Sequence, residues 1–470
     1  MKFSPMKPNE VLATSERLIF QGKYEKALAN IERLENTIEL SGEDRVRSWI
    51  VKIQIKIQKG EYEEAYFQTE KYLILTAQFN NPLLTLDILF KQSLILIFLG
   101  KAEESHQILV DCEEIIENLE LNSTAVKQRK ARLFFRKGQH LVNENKLSEG
   151  LEHIQKSIYI AEEIDNKMEK AFAQYILAGI LWQQGELDNA IENYQQVLAI
   201  AEQFNANYYI ANCMGNIGEI NNEKGNYDDA LGYYNKAIIH YKAVDGERSI
   251  GFVGTLFLII VVLINKGALE EAKSQLNRIL LLEKQSDNRL ISNYSQLAKG
   301  LILKESTRIK EKVKAQELLK SLLADENLFF DLKVIAMLSY CETLIEELKL
   351  YGAPEVLYQI KSLMAELHEY AHKEQNPSLM IRLLLIQTKF LLVDGDLKET
   401  EKLLLQAKEK ATEIGLIQLE NEITLEIQKF NEELNKWTVL MKQASLIERL
   451  EEAQIKKYLQ DAQKIVRSQR

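Results

Sequence analysis

Proline and glycine are scarce, five and twenty in 470 residues, which removes the turn chemistry that a many-stranded β fold would need. Cysteine is scarcer than glycine: Cys112, Cys213 and Cys341 lie far apart, are odd in number and form no CxxC pair. That usage excludes a disulfide frame and fits reduced, buried thiols in a cytoplasmic protein. Positive charge is in deficit, with 59 Lys and Arg against 69 Asp and Glu, so no summed basic field collects nucleic-acid phosphates. The opening MKFSPMKPNE has no apolar run behind its lysines, unlike a secretory signal.

Long uncharged runs are also missing, with one exception. Ser249 to Asn265 includes GFVGTLFLIIVVLI and is closed by Arg248 and Lys266. As a helix it spans about 25 Å, short of a hydrocarbon core of roughly 30 Å. A membrane crossing is not expected.

What the chain does have is repetition. GKYEKAL (22–28), GEYEEAY (60–66), GKAEESH (100–106), GELDNAI (185–191), GNYDDAL (225–231), GALEEAK (267–273) and GDLKETE (395–401) share a glycine and, five positions on, a small residue. NKLSEGL at 145–151 replaces the glycine with Asn145, and KEKVKAQ (310–316) and GAPEVLY (352–358) are weaker copies, the last with Pro354 in a first-turn position. Successive anchors stand 38 to 45 residues apart. Apolar residues recur at helical spacing on both sides of each anchor, so the glycine reads as a helix C′ residue and the unit as a helical hairpin. The small residue (Ala27, Ala65, Ala190, Ala230, Ala272, Ala315) lets the second helix approach its neighbour closely. One hairpin cannot bury its own apolar face, whereas a stack can.

These residues resemble the tetratricopeptide repeat (TPR) family in its longer form of about 40 residues per unit, similar to the arrays of kinesin light chains and LuxR-class regulators. The best copies are residues 211–241, with Gly218, Gly225, Ala230, Tyr234 and Ala237, and residues 173–204, with Leu177, Ala178, Gly185, Ala190 and Tyr194. The resemblance implies an all-α right-handed superhelical solenoid of about ten hairpins. Residues 1–8 are expected as an N-terminal tail, 9–415 as the array, and 416–470 as C-terminal capping and tail helices, with a single helix over 445–466.

The resemblance also implies that first helices line a concave groove. Inward positions then include Lys91, Arg132, Phe135, Arg136, Gln139, Tyr175, Asn212, Asn216, Glu219, Phe257 and Leu258. Asn216 matches a family position whose amide bonds a bound peptide's backbone. Arg132 and Arg136, one turn apart, are placed to hold a carboxylate. The seventh first helix is apolar on that side too, which leaves open whether the tail, a second subunit or a partner covers it.

HEYAH at 368–372 is a literal H-E-x-x-H, the spacing that sets two histidines on one helix face for zinc. Its surroundings do not continue the pattern: Gln375 and Ser378 stand where a third histidine and a glycine would follow, and Glu399 and Glu401 are the only following acids in reach. Paired acids such as Glu63 and Glu64, Asp228 and Asp229, and Glu270 and Glu271 recur at the start of second helices, where they complement the helix dipole.

The expectation is a non-enzymatic scaffold, with no metal and no cofactor, that binds a protein or peptide segment in its groove. The rival reading is a sensor of a peptide or small ligand acting through a separate effector. Neither nucleic acid nor a membrane span is expected, and the tail helix is a candidate for self-association.

Overall fold

The computed structural model describes residues 7–120, 122–144, 146–247, 249–285, 288–325, 328–373 and 376–468. Asn145, Arg248, Gln375 and the first six residues of the expected tail lie outside them. The described residues form α-helices and no strand. Ten hairpins follow in chain order: α1 (Pro8–Phe20) and α2 (Tyr24–Thr37), α3 (Gly42–Gln58) and α4 (Tyr62–Thr76), α5 (Pro82–Phe98) and α6 (Ala102–Glu117), α7 (Thr124–Asn143) and α8 (Leu147–Glu163), α9 (Lys167–Gln183) and α10 (Leu187–Gln203), α11 (Asn207–Glu223) and α12 (Tyr227–Asp245), α13 (Ile250–Asn265) and α14 (Leu269–Glu283), α15 (Arg289–Lys304) and α16 (Ile309–Leu323), α17 (Phe330–Tyr351) and α18 (Pro354–Lys373), α19 (Pro377–Asp394) and α20 (Leu397–Ile414). Then come α21 (Ile417–Gln443), α22 (Leu446–Glu452) and α23 (Ile455–Ser468). The fold is an all-α solenoid of helical hairpins.

Two kinds of turn punctuate the array. Within a hairpin the chain reverses through the anchor glycine, as at Gly225 and Gly267, both with φ of 79°, a conformation that a Cβ would strain. Between hairpins the next first helix starts on a polar cap: Ser41, Asn81, Ser123, Ser249, Asn288 and Asn376 each accept a backbone N–H of the following turn. The eighth hairpin turns without a glycine, and there Ser306 Oγ accepts from the Arg308 backbone N–H at 3.1 Å. The small residues on second helices are all enclosed: Ala27, Ala65, Ala190, Ala230, Ala272 and Ala315 have no exposed surface.

The helices divide into two compact units, one of Met1–Ile180, Asp188–Cys213 and Ile239–Asp245, the other of Leu181–Leu187, Met214–Ile238 and Gly246–Arg470. In the first, the initial hairpin meets the sixth. A Cβ on Gly22, between α1 and α2, would stand 2.5 Å from Val244 Cγ1 at the end of α12, and Asn207 Nδ2 donates to the Gln21 carbonyl at 3.4 Å. The first helices of this unit therefore share an enclosed wall.

In the second unit, α13 holds the apolar run. Ten of its side chains, from Phe252 to Leu263, are buried, so the β-branched IIVV segment is helical because neighbouring helices supply the cover that a sheet would otherwise give. No helix among the described residues is long and apolar enough to cross a membrane. The helix expected over 445–466 is broken: Gln454 takes φ of 49° and separates α22 from α23.

Candidate functional site: the first-helix wall of the first unit

Five consecutive first helices contribute to one charged cluster. Asp87 and Lys91 come from α5 and Arg129, Arg132 and Arg136 from α7, while Gln54 (α3), Glu169 (α9) and Tyr209 (α11) border them. Inter-helix bonds join them at about one repeat length. Arg129 grips Asp87, with Nε 3.1 Å from Oδ1 and Nη2 on Oδ2. Arg132 grips Glu169, with Nε 3.0 Å from Oε1, and its Nη1 stands 3.5 Å from Asp87. Both acids are nearly enclosed, with side chains 11% and 5% exposed, so these are pairs shielded from bulk water.

The cluster is not neutral. Lys91, Arg129, Arg132 and Arg136 face two carboxylates, Asp87 and Glu169, and those are taken up by Arg129 and Arg132. The direct contacts of Arg136 are with an amide and a ring: its Nη1 donates to Gln139 Oε1 at 2.7 Å, and its guanidinium lies 5.1 Å from the Phe135 ring centre. Its Nε is buried with no hydrogen-bond partner among the described residues. Burial and then Arg132 push the guanidinium down to about 10, still charged at neutral pH. Lys91 donates to Gln54 Oε1 at 2.6 Å. Burial, followed by Arg136 and Arg132, pushes its ammonium down to about 7, because nearby cations and desolvation both oppose its charge. Arg132 shifts the other way: burial opposes its charge, but Glu169 and Asp87 outweigh it and raise the group.

Beside the charges runs an aromatic ladder. Phe135 stands 6.4 Å from Phe172 between ring centres, and Phe172 5.2 Å from Tyr209. Burial pushes the Tyr209 phenol up to about 12.

The structure thus brings together Lys91, Arg132, Phe135, Arg136 and Gln139. Tyr175 packs edge-on to Tyr194 with ring centres 5.4 Å apart, and Asn212 Oδ1 accepts from the Tyr241 hydroxyl at 2.5 Å. Asn216 is half-buried on α11. Glu219 and Phe257 belong to the second unit's interior: Glu219 bonds Tyr234, Asn222 and Arg467, and Phe257 is fully enclosed, with the Tyr294 ring centre 5.4 Å away. Leu258 keeps partial exposure. The cover over the seventh first helix includes its neighbour α15, through Tyr294.

Arg129, Glu169 and Tyr209 stand outside the inward positions that the resemblance implies. The working spacing is shorter: 37 residues separate Arg132 from Glu169, and Phe135, Phe172 and Tyr209 repeat at the same interval. The ladder therefore slips by about a helical turn at each repeat.

HEYAH spans two environments at the end of α18. His368 is half-buried, with Nε2 enclosed and without a partner, and burial pushes its imidazole below the usual range. His372 is exposed. Among the described residues no three His, Cys, Asp or Glu side chains are grouped to hold a metal ion.

A tetratricopeptide repeat profile matches residues 130–203 and 169–243, the segment that carries α7 to α12. Residues 130–243 thus carry tetratricopeptide repeats. No curated protein sequence matches the chain. Among solved structures, this TPR chain is similar to the apo form of the quorum sensor NprR from B. thuringiensis, with a TM-score of 0.52 and 15% identity over 76% of this chain and 98% of that one. It is likewise similar to the apo form of RapI (TM-score 0.51, 16% identity, 78% and 98% covered). A Rap protein complexed with Competence and Sporulation Factor also matches (TM-score 0.50, 16% identity, 77% and 99% covered). At such identities the likeness concerns the fold.

Proposed function

We propose that this TPR protein is a non-enzymatic cytoplasmic adaptor. It holds an extended peptide segment of a partner protein on the first-helix wall of its first unit, with a peptide carboxylate against Arg136 and Lys91. The observation that carries this reading is the Arg136 Nε, buried without a partner where both neighbouring acids already serve other arginines. A buried donor lacking an acceptor is costly, and a carboxylate that reaches it gains a charge-assisted bond. The Phe135, Phe172 and Tyr209 rings offer an apolar bed for the adjoining side chain.

The test uses a library of nine-residue peptides with free C-termini, screened for binding to the full chain and then remade with amidated C-termini. Binders are expected to carry a carboxylate and to lose tenfold or more in affinity to Arg136→Gln. Loss on amidation assigns the contact to the terminal carboxylate, and retention assigns it to an Asp or Glu side chain. Affinities unchanged in Arg136→Gln would overturn the proposal.

A second reading, a sensor that takes a free peptide as its signal, draws support from the Rap protein solved with Competence and Sporulation Factor. It is distinguished by what co-purifies from the source cell: a short peptide, or a whole protein.

A further inference from the structure

The last helix, α23, lies on the first helices of the second unit. Ile455, Tyr458, Leu459, Ala462, Gln463, Val466 and Arg467 are buried, while Lys456, Lys457 and Gln460 are exposed. This is one continuous face of a helix, with positions three and four apart repeating. Its polar members contact carboxylates on α21, α17 and α11. The Tyr458 hydroxyl bonds Glu426 of α21, and the Tyr458 ring receives the Lys389 ammonium at 4.5 Å. Gln463 Nε2 donates to Glu342 Oε1 of α17 at 3.0 Å, and Arg467 Nε to Glu219 Oε1 of α11 at 2.9 Å.

None of these carboxylates depends on α23. Glu426 already holds Lys389, Oε2 to Nζ at 2.6 Å. Glu342 holds Lys304 through Oε2 at 2.7 Å. Glu219 accepts the Tyr234 hydroxyl on Oε2 and Asn222 Nδ2 at 3.3 Å. On Glu342 the stack uses one oxygen and α23 takes the other, and on Glu219 Arg467 shares Oε1 with Asn222 while Tyr234 holds Oε2. Undocking α23 therefore leaves the Glu426–Lys389 and Glu342–Lys304 ion pairs whole, and the penalty for opening a buried polar contact falls on Glu219, which keeps two neutral donors and gives up Arg467.

We propose that this face is a helix-binding surface, that α23 is its resident ligand in cis, and that a partner's amphipathic helix of matching chemistry displaces it. The open carboxylate oxygens select donors, so the partner helix carries Tyr, Gln or Asn, and Arg or Lys along one side, beside an apolar stripe like Leu459, Ala462 and Val466. An acidic helix is excluded by the same charges. This surface is independent of the Arg136 cluster, and its test does not involve that cluster.

The probe is a fluorescent peptide of residues 455–468, IKKYLQDAQKIVRS, added to the full-length chain and to two full-length variants. Leu459→Asp expels α23 through its apolar side. The triple change Tyr458→Phe, Gln463→Ala and Arg467→Ala weakens it through its donors and leaves the stripe intact. Both variants are expected to bind the peptide at least tenfold more tightly than the unaltered chain does. A peptide carrying the Leu459→Asp change should bind none of them. Hydrogen exchange is expected to accelerate in α23 of each variant while α15, α17 and α19 keep their protection. Peptide binding to neither variant, or loss of protection spreading through α17 and α19, would overturn the proposal and make α23 a core element.

Discussion

Arg467 in α23 donates its Nε to Glu219 Oε1 in α11 at 2.9 Å, across 248 positions of sequence, with both side chains nearly enclosed. The two ends of this pair are not equivalent. Glu219 retains Tyr234 and Asn222 when Arg467 is removed, whereas among the described residues Glu219 is the acceptor on which Arg467 depends. Arg467→Ala should therefore cost about 1.5–3 kcal/mol locally, the range for a charged hydrogen bond, and Glu219→Ala about 3–5 kcal/mol, the range for stranding a buried charge. Amide exchange of α11 and α23 measures both, site by site, and equal costs would contradict the asymmetry. A single melting temperature is a poor substitute, because a repeat array need not unfold in one step.

Lys91 makes the proposed peptide site sensitive to pH near neutrality. Its ammonium titrates at about 7, below the ordinary lysine value of 10.5. The unfolded chain therefore binds more protons than the folded one between those values. Folding stability should rise with pH across that window, and the full cost of the buried charge is present below pH 7. Ligand binding runs the opposite way. A carboxylate gains from a charged Lys91, so affinity for an acidic peptide should fall by up to about tenfold between pH 6 and pH 8, the scale of one charge-assisted bond. In Lys91→Met the profile over that range should be flat. Titration of peptide affinity against pH in both chains decides it.

The array was legible in the sequence because its punctuation is local chemistry. A positive-φ glycine such as Gly225 and an enclosed alanine such as Ala230 are each required by the backbone at one position, so both recur with every repeat. The charged wall was half legible. Lys91, Arg132 and Arg136, named from the family analogy, come close together in the structure. Which acids pair with them depends on how far each hairpin slips against the next, a packing quantity that no single repeat encodes. Phe257 shows the same limit from the other side, since Tyr294 of the following repeat encloses it. The break at Gln454, with its φ of 49°, left no trace either, because glutamine is an ordinary helix former.

The fourth hairpin, which presents the three arginines, is held by an unusually close helix contact. A Cβ on Gly138 of α7 would stand 2.7 Å from Ile154 Cδ1 and 3.1 Å from the Gly150 carbonyl oxygen, and one on Gly150 would stand 2.8 Å from Val142 Cγ2. Gly138→Ala should force α7 and α8 apart and destabilise the hairpin by about 1–3 kcal/mol, the usual cost of overpacking. Arg132 and Arg136 ride on α7, so peptide affinity should fall as well although no binding group has changed. Retained affinity with lowered local exchange protection would show that the site tolerates this movement.

The closure of the first unit gives the last prediction. Gly22 and Val244 meet so closely that a Cβ on the glycine would overlap the valine, and Gly22 also has φ of 75°, so a side chain there is strained twice over. Val244→Asp avoids the backbone problem. It places a charge in the contact without altering either helix, and desolvating that charge costs more than the small apolar contact returns. The initial hairpin should then detach from the sixth while each hairpin stays folded, which helical circular dichroism would register as no change. The wall bearing Lys91 and Arg136 would open to water, weakening its charge interactions. In this variant the Lys91 ammonium should move up toward its ordinary value, carrying the pH profile of peptide binding with it. An unmoved profile would mean that the enclosure of Lys91 comes from its immediate neighbours and not from closure of the unit.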